Sequence, residues 1–167
     1  MSQTLRASGV GASRCFTVSN AIDIHQPLPD RAAVRQRLNL PADAFICGTI
    51  GSLIPRKSNQ DVLQELSYFK QACPEANWKI IVVGDVPEAA ALRQQAAKDA
   101  ILDRVIFTGF QNNALDYLAA FDVFILASHS EGLPRVVLEA MLVNTAVARS
   151  RVVGIEELIS HRGINQP

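Results

Sequence analysis

Two kinds of hydrophobic pattern alternate along residues 44–150. Short, nearly continuous apolar runs occur at AFICGTIG (44–51), WKIIVVGD (78–85), RVIFTGF (104–110), DVFILAS (122–128) and TAVARS (145–150). Their length and β-branched content predict strands, and the unbroken apolar stretch of WKIIVVGD predicts one buried on both faces. Between them the apolar positions take helical spacing. NQDVLQELSYFKQAC (59–73) repeats at Val62, Leu63, Leu66 and Phe69, with Asn59 as the predicted N-cap. PEAAALRQQAAKDA (87–100) opens on a proline suited to a first helical turn. NNALDYLAAF (112–121) and LPRVVLEAMLV (133–143) are further helices, and IEELIS (155–160) adds a final helical turn. Upstream, DRAAVRQRLNL (30–40) is a short helix with Asp30 as N-cap. AIDIHQPLPD (21–30) reads as a connection, and FTVSN (16–20) is strand-like.

Strand and helix alternating about five times predict an α/β fold with a Rossmann-like, doubly wound parallel sheet. Ligands of such sheets bind outside the carboxyl ends of the strands. That rule brings four loops to one edge: 51–58, 84–87, 109–113 and 128–134. The expected organisation is an N-terminal lead-in (1–20), a linker with a short helix (21–43), the sheet domain (44–160) and a tail (161–167).

Composition narrows the classes. The chain has 167 residues, 49% hydrophobic and 19% charged, enough for a real core and against disorder. Sixteen basic and sixteen acidic residues cancel, so no bulk field favours nucleic acid or an acidic membrane, and an anion site has to be local. Three widely spaced cysteines, Cys15, Cys47 and Cys73, suit reduced thiols rather than a disulfide framework or a zinc site. The N-terminus lacks an apolar signal core and no run is long enough to span a membrane, so the expected compartment is the cytoplasm.

The chemistry concentrates in two loops. The first, GSLIPRKS (51–58), is one glycine short of the phosphate-binding pattern G-x-x-x-x-G-K-[ST], with Arg56 where that glycine belongs. The second, SHSEGLPRVVLEAM (128–141), sets Glu131 before a helix and Glu139 within it. Amides around Gly132, Leu133 and Arg135, backed by the positive helix end, form an anion site. Taken alone, Glu131 as a first-turn dipole partner and Glu139 as a solvated helix residue is the simpler reading. The apolar neighbours Leu138, Ala140 and Met141 around Glu139 argue against it. His129 reads as a structural histidine in a tight loop, and His25 and His161 as exposed.

The segment SEGLPRVVLEAM resembles the E-x7-E signature of retaining GT-B glycosyltransferases of glycosyl transferases group 1. VSNAIDI resembles the linker that opens the C-terminal lobe of that family. GTIGSLIPRKS resembles its first strand and diphosphate loop, and IIVVGDVPE its second strand. RVIFTGF and YLAAFDVFILASHSEG follow in family order, so the resemblance covers roughly residues 16–160. It implies a single C-terminal, donor-binding GT-B lobe, with a nucleotide-diphospho-sugar as donor substrate and no metal or other cofactor. The base would lie against Gly109 and Phe110, and Glu139 would take the ribose hydroxyls. Amides near Gly132 and Leu133, with Gly51 and Ser52, would meet phosphate. Lys57 would neutralise the diphosphate leaving group and Glu131 would contact the donor sugar, these two being the catalytic candidates.

The family usually has arginine at the position of Ser52 and glycine at those of Ser58, Val86, Asn144 and Val153. The resemblance also implies a second, N-terminal lobe carrying acceptor groups and a catalytic histidine, and a C-terminal lobe longer than this one, which stops short in the tail. Alone, the chain is then expected to bind donor without turnover, with such a lobe or a second copy as partner. The alternative is a degenerate stand-alone domain acting as a non-catalytic or self-associating interaction module. A P-loop ATPase is a distant third, since it needs glycine at position 56.

Overall fold

The computed structural model describes residues 7–9, 11–14, 16, 18, 20–85 and 89–150. Five strands form one sheet: β1 (Phe45–Ile50), β2 (Trp78–Val83), β3 (Val105–Gly109), β4 (Val123–Leu126) and β5 (Ala146–Arg149), in the order β3-β2-β1-β4-β5. Every neighbouring pair is parallel. The helices are α1 (Arg31–Arg37), α2 (Asn59–Ala72), α3 (Ala89–Lys98), α4 (Ala114–Ala120) and α5 (Arg135–Leu142). The winding direction reverses between β1 and β4, which makes their carboxyl ends the switch point where a ligand crevice opens.

Two-residue alternation along the strands divides the core. Ile46, Ile81, Val83, Phe124 and Leu126 pack on one face with Val34 of α1, Leu118 of α4 and Val137 of α5. Cys47, Ile80 and Val82 pack on the other with Val62 and Leu63 of α2 and Leu92 of α3. Both faces of β2 are therefore covered, which explains its continuous apolar run. Burying each such aliphatic side chain stabilises the fold by about 1.5–3 kcal/mol. A side chain at Gly48, on the central strand, would put its Cβ 2.0 Å from the Phe121 ring, so glycine lets that ring reach the sheet.

Helix α1 is latched beneath the sheet by Asp122. Its carboxylate accepts from the Ile46 amide at 2.7 Å and from Arg35 at 2.6 Å, and Arg31 pairs with it as well. The same guanidiniums donate to the carbonyls of Phe121 at 2.6 Å and Ala120 at 2.9 Å, satisfying the exposed carbonyl end of α4. Burial pushes the Asp122 carboxyl up, but the bonds from Ile46, Arg35 and Arg31 outweigh it and hold it below the usual carboxylate range.

Asp30 caps α1 as expected, accepting from the Ala33 amide at 2.7 Å. Other sequence expectations need correction. The cap of α2 is Ser58, held in the left-handed region at φ 50°, and Asn59 is the first helical residue. The Asn59 side chain is drawn inward, where its carbonyl oxygen accepts from the Thr49 hydroxyl at 3.3 Å. The helix expected over 133–143 starts at Arg135, with Pro134 as its N-cap. Of FTVSN, the described residues Phe16, Val18 and Asn20 lie outside any strand, and Phe16 and Val18 are exposed. The helical turn expected at 155–160, the glycine replacements Val86 and Val153, and Cys15 lie outside the described residues.

Candidate functional site

The turn after β1 builds the first wall. Gly51 leaves the strand at φ 147°, and its amide bonds the Val83 carbonyl at 3.0 Å, so the β1 and β2 ends stay joined past the sheet. Gly84 follows at φ 152°, and a Cβ there would lie 1.9 Å from the Gly51 carbonyl oxygen. Glycine is required at that contact because backbone meets backbone. The Gly84 amide in turn bonds the Gly109 carbonyl at 2.9 Å. At the end of β3 the pairing register skips Thr108, and Gly109 takes φ 70°. The chain then turns Phe110 outward, 68% exposed.

These turns enclose a cleft of about 380 Å³ lined by Ile50, Gly51, Ser52, Gly84, Asp85, Phe110 and Gln111. The Gln111 side-chain amide donates to the Thr108 carbonyl at 3.0 Å. On the other side of Gly51 and Ser52, a narrower crevice runs between the β1 and β4 ends, lined by Thr49, Lys57, Asn59 and Leu126. The two share the Gly51–Ser52 segment, with the Phe110 ring in the cleft on one side and Lys57 lining the crevice on the other, which is closed to a water molecule.

Lys57 closes a short helical turn, Pro55–Lys57, and its ammonium is ion-paired with Glu131 from the loop after β4. The Glu131 side chain is 8% exposed. Burial pushes its carboxyl up. Hydrogen bonding from Lys57, with the charges of Lys57 and Arg56, outweighs burial and holds it below the ordinary glutamate range. Three further bonds join the two loops. Arg56 donates to the Ser130 carbonyl at 2.8 Å, the His129 amide donates to the Arg56 carbonyl at 2.9 Å, and Ser58 Oγ is bonded to His129 Nε2 at 2.8 Å.

The sequence-predicted residues thus fall into two groups. Gly51, Ser52, Phe110 and Lys57 line one or both clefts, with Gly109 next to Phe110 in the chain and Glu131 paired to Lys57. Glu139, Gly132 and Leu133 line neither cleft. Glu139 is mostly buried and pairs with Arg135 one turn back at 2.9 Å, so it is neither a solvated residue nor an unengaged carboxylate. The Leu133 carbonyl accepts from the Asn20 side chain at 2.6 Å, tying the upstream segment to this loop. Periodicity gives no hint of the roles of Arg56, His129, Asp85, Gln111 and Asn20. Their only signal is position, since the topology brings all but Asn20 to the loop edge. Among the described residues no cluster of three or more His, Cys, Asp or Glu is placed to hold a metal, and no helix is long and apolar enough to cross a membrane.

Comparison with known proteins agrees with this layout. N-acetyl-alpha-D-glucosaminyl L-malate synthase of Bacillus anthracis is 38% identical over 105 residues, 63% of this chain and 27% of that protein. The lipopolysaccharide core biosynthesis glycosyltransferase LpsD of Rhizobium meliloti is 31% identical over 133 residues, 80% of this chain and 37% of that one. The crystal structure of Anabaena Alr3699/HepE in complex with UDP and glucose superposes with a TM-score of 0.81 at 27% identity, over 96% of this chain and 44% of that one. The chain therefore spans well under half the length of these relatives. The family model for glycosyl transferases group 1 matches residues 44–166. The chain belongs to that family and has the fold of its C-terminal, Rossmann-like GT-B lobe.

Proposed function

We propose that this chain binds a nucleotide-diphospho-sugar as the donor lobe of a retaining glycosyltransferase, and that it needs a second lobe for turnover. The observation that carries the reading is the Gly51–Ser52 turn, shared by the cleft that Phe110 lines and the crevice that Lys57 lines. One side of the turn offers an exposed aromatic face for a base, and the other a cation for a diphosphate. Alr3699/HepE, of similar fold, was crystallised with UDP and glucose, which supports the same ligand class here.

When the glycosidic bond to the donor phosphate breaks, negative charge collects on the departing diphosphate. A fixed cation beside it lowers the barrier, and removing one such group costs typically about 10²–10³ in rate. Lys57 is that cation. In the unliganded chain its charge is already neutralised by Glu131, so diphosphate and carboxylate compete for one ammonium. Donor binding then displaces Glu131, and the freed carboxylate turns to the sugar hydroxyls. Glu139, with the ribose hydroxyls as its ligand, exchanges its bond from Arg135 in the same manner. Acceptor binding and turnover are assigned to the second lobe. Isothermal titration with UDP-, GDP- and ADP-sugars tests the reading: one of them binds, Lys57→Ala loses that binding, and no sugar product forms from the chain alone.

A further inference from the structure

We propose that Arg56 is a positioning residue for Glu131, holding the loop after β4 so that the carboxylate rests on Lys57 without Arg56 itself touching a donor. The loop needs an external brace, because residues 127–134 contain no helix or strand. Arg56 grips it twice. Its guanidinium donates to the Ser130 carbonyl at 2.8 Å, and its own carbonyl accepts from the His129 amide at 2.9 Å. These bonds fall on the two residues immediately before Glu131. The neighbouring Ser58 holds the His129 ring at 2.8 Å, so residues 56, 57 and 58 each engage the segment 129–131. The backbone bond survives any side-chain change at position 56, whereas the Ser130 bond depends on the guanidinium. A donor at the end of a long side chain, reaching a main-chain carbonyl, sets the loop's height above the sheet.

The groups around the Glu131 carboxylate are Lys57 and Arg56 from the turn after β1 and Ser128 from its own loop, with the His129 ring turned to Ser58. Arg56 therefore acts on Glu131 both through Ser130 and through its charge. The consequence for donor selection rests on the nucleotide-sugar reading above, while the link between Arg56 and Glu131 does not.

The test compares wild type, Arg56→Ala and Arg56→Lys in the full chain. Carbon-detected NMR follows the Glu131 carboxyl titration, and calorimetry measures affinity for UDP and UDP-glucose. In Arg56→Ala the Glu131 midpoint rises, and preference for UDP-glucose over UDP falls about threefold or more, the scale of one ordinary hydrogen bond. Arg56→Lys, which keeps the charge and one donor, restores most of both. An unchanged Glu131 midpoint in Arg56→Ala overturns the proposal. If wild type binds neither these nor the GDP- and ADP-sugars, the donor reading fails, and the Glu131 midpoint still decides the role of Arg56.

Discussion

Lys57 and Glu131 stand 74 residues apart in the chain yet share an ion pair, with side chains only 17% and 8% exposed. Neither residue has another charged partner of opposite sign among the ion pairs of the described residues. A pair so shielded from solvent is expensive to break from one side, because the remaining charge is left without compensation. An incoming anion with two phosphate groups can supply that compensation to Lys57. On the proposed function, the ion pair is a placeholder for the diphosphate beside the Gly51–Ser52 turn.

Replacing Glu131 with glutamine removes the competitor while keeping its shape. Glu131→Gln is expected to bind UDP about tenfold more tightly than wild type, a modest share of the Coulomb energy of a partly buried pair. Calorimetry at constant ionic strength checks this, and a weaker complex would mean that Glu131 does not compete for the cation.

Phe110 is exposed and makes no contribution to either core, so its loss should leave the fold intact. Stacking of a base on an aromatic ring is worth about 1–3 kcal/mol. Phe110→Ala is accordingly expected to weaken nucleotide affinity by about tenfold or more with an unchanged melting temperature, read by calorimetry and thermal denaturation together.

Acid should act through Asp122 and Glu131. Both carboxyls have folded pKa values below their unfolded ones, because the bonds from their partners outweigh burial. Their stabilisation is fully present above the ordinary carboxylate range, about pH 4, and is lost as pH falls through the depressed folded values. Denaturation by urea should therefore give constant stability from neutral pH to about pH 5, then a decline. Asp122→Asn should be less stable at neutral pH by about 2–3 kcal/mol, since two arginines lose their partner, and its acid decline should be shallower.

Gly84→Ala tests the close approach of the two loop ends. Its Cβ would sit 1.9 Å from the Gly51 carbonyl oxygen at a φ that side chains resist. The expected cost is about 2 kcal/mol or more, as at other strained backbone positions, with loss of nucleotide binding because Gly51 has to move. Thermal denaturation with and without UDP separates the two effects.

Much of this was legible from sequence. The apolar runs located all five strands, because a strand covered on both faces writes its burial directly into a short segment. The parallel sheet and its four edge loops were expected from strand–helix alternation, whereas the order β3-β2-β1-β4-β5 came only from the folded chain. The Asp30 cap was legible because its partner, Ala33, is three residues away. The Asn59 cap failed because a long-range partner, Thr49, claims the side chain that local rules assign to a helix end. Lys57 and Glu131 stood out singly as candidates, but their pairing spans two loops that only the folded sheet brings together. Arg56 was noted only as the residue at the missing glycine, since its bonds are to main-chain groups of another loop. Glu139 stood out through its apolar neighbours, while its bond from Arg135 required the i, i+4 geometry to be seen.

The most direct measurement is an NMR titration of the isotopically labelled full chain with UDP, GDP and ADP. The account predicts saturable shifts at Gly51, Ser52, Lys57 and Phe110 for at least one of them, abolished at every site in Lys57→Ala. Millimolar concentrations of all three without a shift at those residues would contradict it.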